Sequence, residues 1–280
     1  MTGDQPAYSW NDAEKDLMEG IDTTVPHSAR IWNYWLGGKD NYPVDRAAGD
    51  QFLKAYPGMA AEARANRQFL SRAIRYLVIK AGVRQFLDIG TGLPTADNTH
   101  EIAQRLNPAC RIVYVDNDPL VLAHARALLT STPEGVTDYV DADLHDPDAI
   151  LDAAANTLDF SVPIALILSG IMGHIADNGG PHAIVRRLMD RLPSGSYLML
   201  QDGTTVSQAN ADALEDCNSS GAIPYNLRAP EEIVRYFDGL DVVEPGVIPI
   251  QQWRPDPEDP AGPAEPFAYV NTFGGIGRKR

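Results

Sequence analysis

Cysteine is scarce in this 280-residue sequence: Cys110 and Cys217 are the only two. Two thiols do not make a disulfide framework, and a reducing compartment is the simpler expectation. Long apolar runs are missing as well. No stretch approaches the ~18 residues of a membrane span. The opening MTGDQPAYSWNDAEKD is polar and acidic, without the apolar centre of a signal peptide. A cytoplasmic protein with no membrane partner is the expectation. Positive charge is short too, with 23 Lys and Arg against 38 Asp and Glu, a net charge of −15. Such a surface repels phosphate backbones and disfavours nucleic acid as a partner. There is no internal repeat and no Ser-His-Asp pattern. No His/Cys/Asp cluster has metal-ligand spacing, so no metal is expected. What remains is an ordinary globular balance, 44% hydrophobic and 22% charged. The length suits one large α/β domain, or a core domain with an added subdomain.

Residues 1–20 lack any period and are expected to be poorly ordered. In VPHSARIWNYWLGGKDNYPVDR, Pro26 and His27-Ser28 open a helix and Gly37-Gly38 end it. Residues 45–56 and 59–81 read as further helices; in the second, Phe69, Ala73, Tyr76 and Leu77 recur at spacings of 3 and 4. From residue 85 strands alternate with helices. The strands are expected at 85–89, 111–115, 137–141, 163–168 and 195–201, and the helices at 97–107, 118–130, 147–155 and 178–192. This alternation marks a parallel sheet covered on both faces. Helices near 206–217 and 229–238 follow, then a strand near 240–244. The last strand is expected near 267–273, after a stiff loop carrying Pro255, Pro257, Pro260, Pro263 and Pro266. The chain thus divides into 1–20, a helical cap or lid over 21–82, and an α/β domain over 83–280.

The run QFLDIGTGLPT, residues 85–95, carries the first chemical signal. Gly90 and Gly92 follow the first strand, where open parallel sheets bind ligands. Glycine admits positive φ and close approach of a ligand to the backbone. A dinucleotide fingerprint needs a third glycine at position 95, and Thr95 stands there behind Pro94. Asp88, two residues before Gly90, would repel a pyrophosphate and suits an ammonium group. Asp116, with Asn117 beside it, ends RIVYVDND and is placed to accept from both ribose hydroxyls. Asp118-Pro119 reads as the N-cap and first residue of the next helix. In DADLHD, either Asp143 takes an exocyclic adenine amine while Leu144 holds the ring, or the segment is a solvated acidic loop. Ser169-Gly170, after the fourth strand, leaves room for a sulfonium and an incoming substrate. An ammonium, a ribose and an adenine without phosphates describe S-adenosylmethionine better than NAD.

FLDIGTG, VYVDNDP, DADLHD and ALILSGIMGHI occur in that order. Together they resemble the four motifs of class I S-adenosylmethionine-dependent methyltransferases over about residues 83–205. More narrowly, ARIWNYWLGGKDNY (29–42), NRQFLSRAIRYL (66–77), QFLDIGTGLPTADNTHE (85–101) and FGGIGRKR (273–280) resemble a family of bacterial S-adenosyl methyltransferases of undetermined substrate. That resemblance covers nearly the whole chain. It implies a Rossmann-like, doubly wound α/β sheet of seven strands with the last antiparallel. It also implies cofactor contacts at Asp88, Gly90, Asp116, Asp143 and Ser169. The broad superfamily often has a third glycine where this chain has Leu93-Pro94-Thr95, and the narrower family shares the GLPT form.

Methyl transfer mainly requires alignment of the nucleophile, with a base where that nucleophile is neutral. His174, five residues after Ser169, is the candidate base; the alternative is a hydrogen-bonded loop histidine. Asp202 is either a base or a turn cap. His27, His100, His145 and His182 are scattered. In WNYWLGGKDNY, Gly38 offers a hinge, while Tyr34, Lys39 and Asn41 are candidates to reach cofactor or substrate. Trp32 and Trp35 are expected mostly as core anchors. Arg30 is a candidate for the methionine carboxylate or for one of the many acids. The acceptor is expected to be a small molecule. Two alternatives stay open: an aminopropyl transferase using decarboxylated S-adenosylmethionine, and a non-catalytic sensor of S-adenosylmethionine.

Overall fold

The computed structural model describes residues 22–94, 97–128, 130–219, 224–255 and 270–280. The stretch 1–20, Thr95 and the prolines Pro257, Pro260, Pro263 and Pro266 lie outside these residues. Five strands form a parallel sheet: β1 (Gln85–Ile89), β2 (Arg111–Asp116), β3 (Val136–Asp141), β4 (Ala165–Ser169) and β5 (Tyr197–Gly203). Three more strands join them: β6 (Asp241–Val242), β7 (Ile248–Pro249) and β8 (Thr272–Arg278). The order is β3-β2-β1-β4-β5-β8-β6, with β7 also paired to β8. β8 runs antiparallel to β5, setting Gln201 opposite Gly274. The expected seven strands with an antiparallel last strand are therefore present, and the two-residue β7 adds an eighth.

The helices are α1 (Ser28–Trp35), α2 (Pro43–Ala55), α3 (Met59–Ile79), α4 (Thr99–Leu106), α5 (Pro119–Leu128), α6 (Pro147–Ala154), α7 (Pro181–Arg191), α8 (Gln208–Asn218) and α9 (Pro230–Arg235). Alternation along the strands feeds two cores. Leu87, Ile89, Val113, Leu166 and Leu168 meet Ile150 and Leu151 of α6 and Leu188 of α7 on one face. Phe86, Ile112, Tyr114, Ile167 and Met199 meet Phe69, Ile74 and Leu77 of α3, Ile102 of α4, and Trp253 on the other. Each such side chain stabilises the fold by about 1.5–3 kcal/mol through burial. α3 is thereby fixed against the sheet, and that fixes which of its residues face the crevice above the strands.

The last strand lies later than expected, at 272–278 rather than 267–273. Its sequence TFGGIGR is poor in strand formers. The reason is packing: a Cβ on Gly274 would fall 2.7 Å from Gln201 Cβ and 2.8 Å from the Leu200 carbonyl oxygen. The N-terminal helices are tied together by Asp45, which is fully buried. Asp45 Oδ1 accepts from the His27 N–H and lies 3.2 Å from Arg30 Nε, and Oδ2 accepts from the Tyr42 N–H at the start of α2. Phe52 and Met59 pack with Trp32 and Trp35 against Ala213 and Leu214 of α8. No described helix is long and apolar enough to cross a membrane.

Candidate active site

β1 and β4 are neighbours, and the chain leaves them in opposite directions across the sheet, toward β2 and toward β5. A crevice opens at such a reversal, beyond the carboxyl ends of the strands. Here it holds a cavity of about 450 Å³. Its sheet-side wall begins at the glycine turn. Gly90 has φ +74° and Gly92 φ +63°, conformations that favour glycine. A side chain on Gly90 would strike Ile171, whereas the space around Gly92 is open.

Three carboxylates line this end of the cavity. Asp88 is buried; its Oδ2 accepts from Thr99 Oγ1 at 2.6 Å. Burial pushes its carboxyl up to about 6, against the opposing pull of Thr99 and of the Arg67 guanidinium. Asp116 Oδ2 accepts from the Gly92 N–H at 2.9 Å and Oδ1 from the Asp118 N–H at 3.0 Å. These bonds fix the carboxylate beside the turn, while burial raises its pKa. Asp143 is exposed and accepts from the N–H and the ring Nδ1 of His145. Those bonds, with one from Asn117, keep it below the usual carboxylate range despite some burial. Leu144 beside it is buried. Asp118 belongs to the fold as expected: its Oδ1 caps the Leu120 N–H of α5 at 2.9 Å, and Oδ2 lies 3.0 Å from His27 Nδ1.

At the end of β4, Ser169 Oγ accepts from Gln201 Nε2 at 2.5 Å. His174 lies further along the same wall. Its Nδ1 is 3.0 Å from the Pro224 carbonyl oxygen. A carbonyl only accepts, so Nδ1 carries the hydrogen, and in the neutral ring Nε2 is the free acceptor. Burial holds the His174 pKa below its ordinary value, which favours that neutral form. The edge of Tyr225 packs on the ring at 5.0 Å between centroids. Tyr225 Oη donates to Asp202, which also accepts from the Gly173 N–H at 2.9 Å. Asp202 is 1% exposed, and burial pushes its carboxyl up to about 7. It does not line the cavity; it holds the turn that carries His174.

The crevice thus brings together Asp88, Gly90, Gly92, Asp116, Asn117, Asp143, Leu144, Ser169 and His174. It does not include Arg30, Tyr34, Gly38 or Lys39. Arg30 is 4% exposed and turned inward, donating to the carbonyl oxygens of Asp22 and Val25 beside Asp45. Tyr34 Oη donates to Asp50. Gly38 packs on the Asn33 side chain, and Lys39 is exposed. Asn41, too, is engaged elsewhere, donating to Asn33 and the Gly38 carbonyl. Trp32 and Trp35 are both core anchors and cavity walls.

Several wall residues went unread in the sequence. Met59, Glu62, Asn66 and Leu70 form one stripe of α3, with Arg67 beside it. Polar residues at i, i+4 spacing inside an apolar stripe are the signal that points to them. Among the described residues no group of three or more His, Cys, Asp or Glu is placed to hold a metal.

The model of the S-adenosyl methyltransferase family matches residues 14–280. The chain is similar to a DUF574 family protein from Streptomyces avermitilis, with 43% identity and a TM-score of 0.87, over 92% of this chain and 99% of that one. It is also similar to a candidate methyltransferase from Thermobifida fusca, at 39% identity and a TM-score of 0.84, covering 93% of this chain and 97% of the other. No curated protein matches it. With the family match spanning nearly the whole chain, this chain belongs to the S-adenosyl methyltransferase family and is a methyltransferase dependent on S-adenosyl-L-methionine.

Proposed function

We propose that the protein transfers a methyl group to a small-molecule acceptor bound in the part of the cavity walled by α1, α2 and α8, with His174 as general base. The observation that carries this reading is one cavity lined by the glycine turn, by His174 and by Trp32 and Trp35. The cofactor end fits the cofactor by its own chemistry. Asp88 is a buried carboxylate suited to an ammonium group, and Arg67, beside it, is the cation for a carboxylate, the role considered for Arg30. Asp116, fixed at the open Gly92 turn, suits ribose hydroxyls. Leu144 offers an apolar face next to Asp143 for the adenine.

When bound, the cofactor supplies an activated methyl group and its own leaving group. The chain's residues must then align an acceptor and remove its proton. His174 Nε2, unprotonated and without a hydrogen-bond partner among the described residues, is the group available for that. Asp202 acts through the turn it braces and is a positioning residue.

The test is calorimetric titration with S-adenosylmethionine and S-adenosylhomocysteine. Micromolar binding by the intact chain is expected. Asp88→Asn and Asp116→Asn should each weaken it by about 1.5–3 kcal/mol, roughly 10- to 150-fold. Undiminished binding in both variants would remove the assignment of these carboxylates.

A further inference from the structure

Glu62 stands on α3 one turn after Met59 and five residues before Arg67. Its side chain is 4% exposed and lines the cavity. Oε1 accepts from Thr272 Oγ1 at 2.7 Å and Oε2 from Tyr56 Oη at 3.0 Å. Asn271 Nδ2 donates in turn to Tyr56 Oη at 2.6 Å, and burial raises the Glu62 pKa against these bonds. These donors hold the carboxylate in one orientation, yet no cation pairs with it among the described residues. A carboxylate buried without a counter-ion is costly to the fold. Such a group, open to a cavity, marks the place where a ligand brings the missing charge.

The surroundings decide which ligand. Both carboxylate oxygens already accept from hydroxyls, so what is lacking is positive charge, not one more hydroxyl. Arg67 is the one Lys or Arg among the described residues lining the cavity, and it lies with Asp88 at the cofactor end. Burial keeps His174 neutral, so it offers no charge to an anion. Trp32, Trp35, Phe52, Met59 and Leu214 also line the cavity, in one apolar cluster with the Tyr56 that bonds Glu62. The two indoles meet edge to face at 5.8 Å. Flat apolar walls suit a flat apolar skeleton, and indole faces attract cations. The net charge of −15 draws cations toward the protein and repels anions.

We infer that the acceptor is a small amine on a flat apolar skeleton, with Glu62 as counter-ion to its ammonium group. This rests on the reading of the α1–α2–α8 end of the cavity as the acceptor site.

Phenethylamine, tryptamine and 1-naphthylmethylamine test it, each against the alcohol of the same skeleton. The full chain is titrated calorimetrically with each, in the presence and in the absence of saturating S-adenosylhomocysteine. At least one amine should bind about tenfold or more tightly than its alcohol. In Glu62→Gln, shown to be folded by its thermal melt, that preference should fall to about twofold or less. Equal or tighter binding of every alcohol, no binding by any amine, or a preference that survives Glu62→Gln would each overturn the proposal. Should Glu62→Gln fail to fold, the amine-to-alcohol comparison on the unaltered chain decides alone. A chain that does not bind S-adenosylhomocysteine counts against the cofactor site, while the titrations made without it still decide the amine question.

Discussion

Asp88 is a residue whose burial costs the fold. Its carboxyl rises from 3.8 to about 6, chiefly because it is shut away from water. The folded chain therefore holds this proton more tightly than the unfolded chain. The stability it contributes is complete below pH ~4 and is lost as pH rises through 6, about 3 kcal/mol by pH 7. Asp88→Asn should remove that loss: its melting temperature should exceed that of the unaltered chain at pH 7, by a margin that shrinks toward pH 4. A margin independent of pH would refute the linkage. His174 has the opposite sense, its pKa held below the ordinary value by burial. As a base it must be neutral, so kcat should rise with pH only below ~6.5 and be flat through neutrality. In His174→Gln, kcat should fall by about 10²–10⁴ and the rising limb should vanish. A kcat within a few-fold of the original would leave His174 as a wall residue.

At the scale of elements, what was legible in the sequence was what the chain writes locally. β1, β2 and β4 are short apolar runs, and Asp88, Gly90, Asp116 and Ser169 stand at or just past their ends. That is why Asp88, Gly90, Asp116 and Ser169 were found without a structure. β8 was displaced by several residues because its glycines hide a strand whose identity is set by β5 on the other side of the ladder. Glu62 and Arg67 were missed for a related reason: an α3 residue becomes a wall only through the packing of Phe69 and Leu77 against Phe86, a contact no local pattern records. The β8 argument has a direct consequence. Gly274→Val would press a side chain into Gln201 and the Leu200 carbonyl oxygen. Overpacking of this kind costs about 1–3 kcal/mol. Urea unfolding should show a lower midpoint at unchanged slope, and an unchanged midpoint would mean that β8 stands off β5.

Across the whole molecule, the cavity is closed by two parts of different construction. The proposed cofactor end is made from strand ends inside a sheet buried on both faces. The proposed acceptor end leans on α1 and α2, whose own cluster with α8 is small. The Arg30–Asp45 pair, both side chains nearly or fully buried, ties these two helices together, alongside the Tyr34–Asp50 and Trp35–Gly49 hydrogen bonds. Removing one partner of a buried ion pair costs about 3–5 kcal/mol, because the other charge is left uncompensated. In Arg30→Ala that cost should fall on α1 and α2 and spare the sheet, since Arg30 bonds Asp22, Val25 and Asp45, none of them on a strand. Hydrogen exchange should then show lost protection over 28–55, with β1, β2 and β4 unchanged. S-adenosylhomocysteine should bind nearly as before, since its expected partners Asp88, Asp116 and Leu144 stand on the sheet side. Turnover should drop through a raised KM for the acceptor. Equal loss of protection in helices and sheet would show that the two ends unfold as one unit, and that their separate construction has no energetic counterpart.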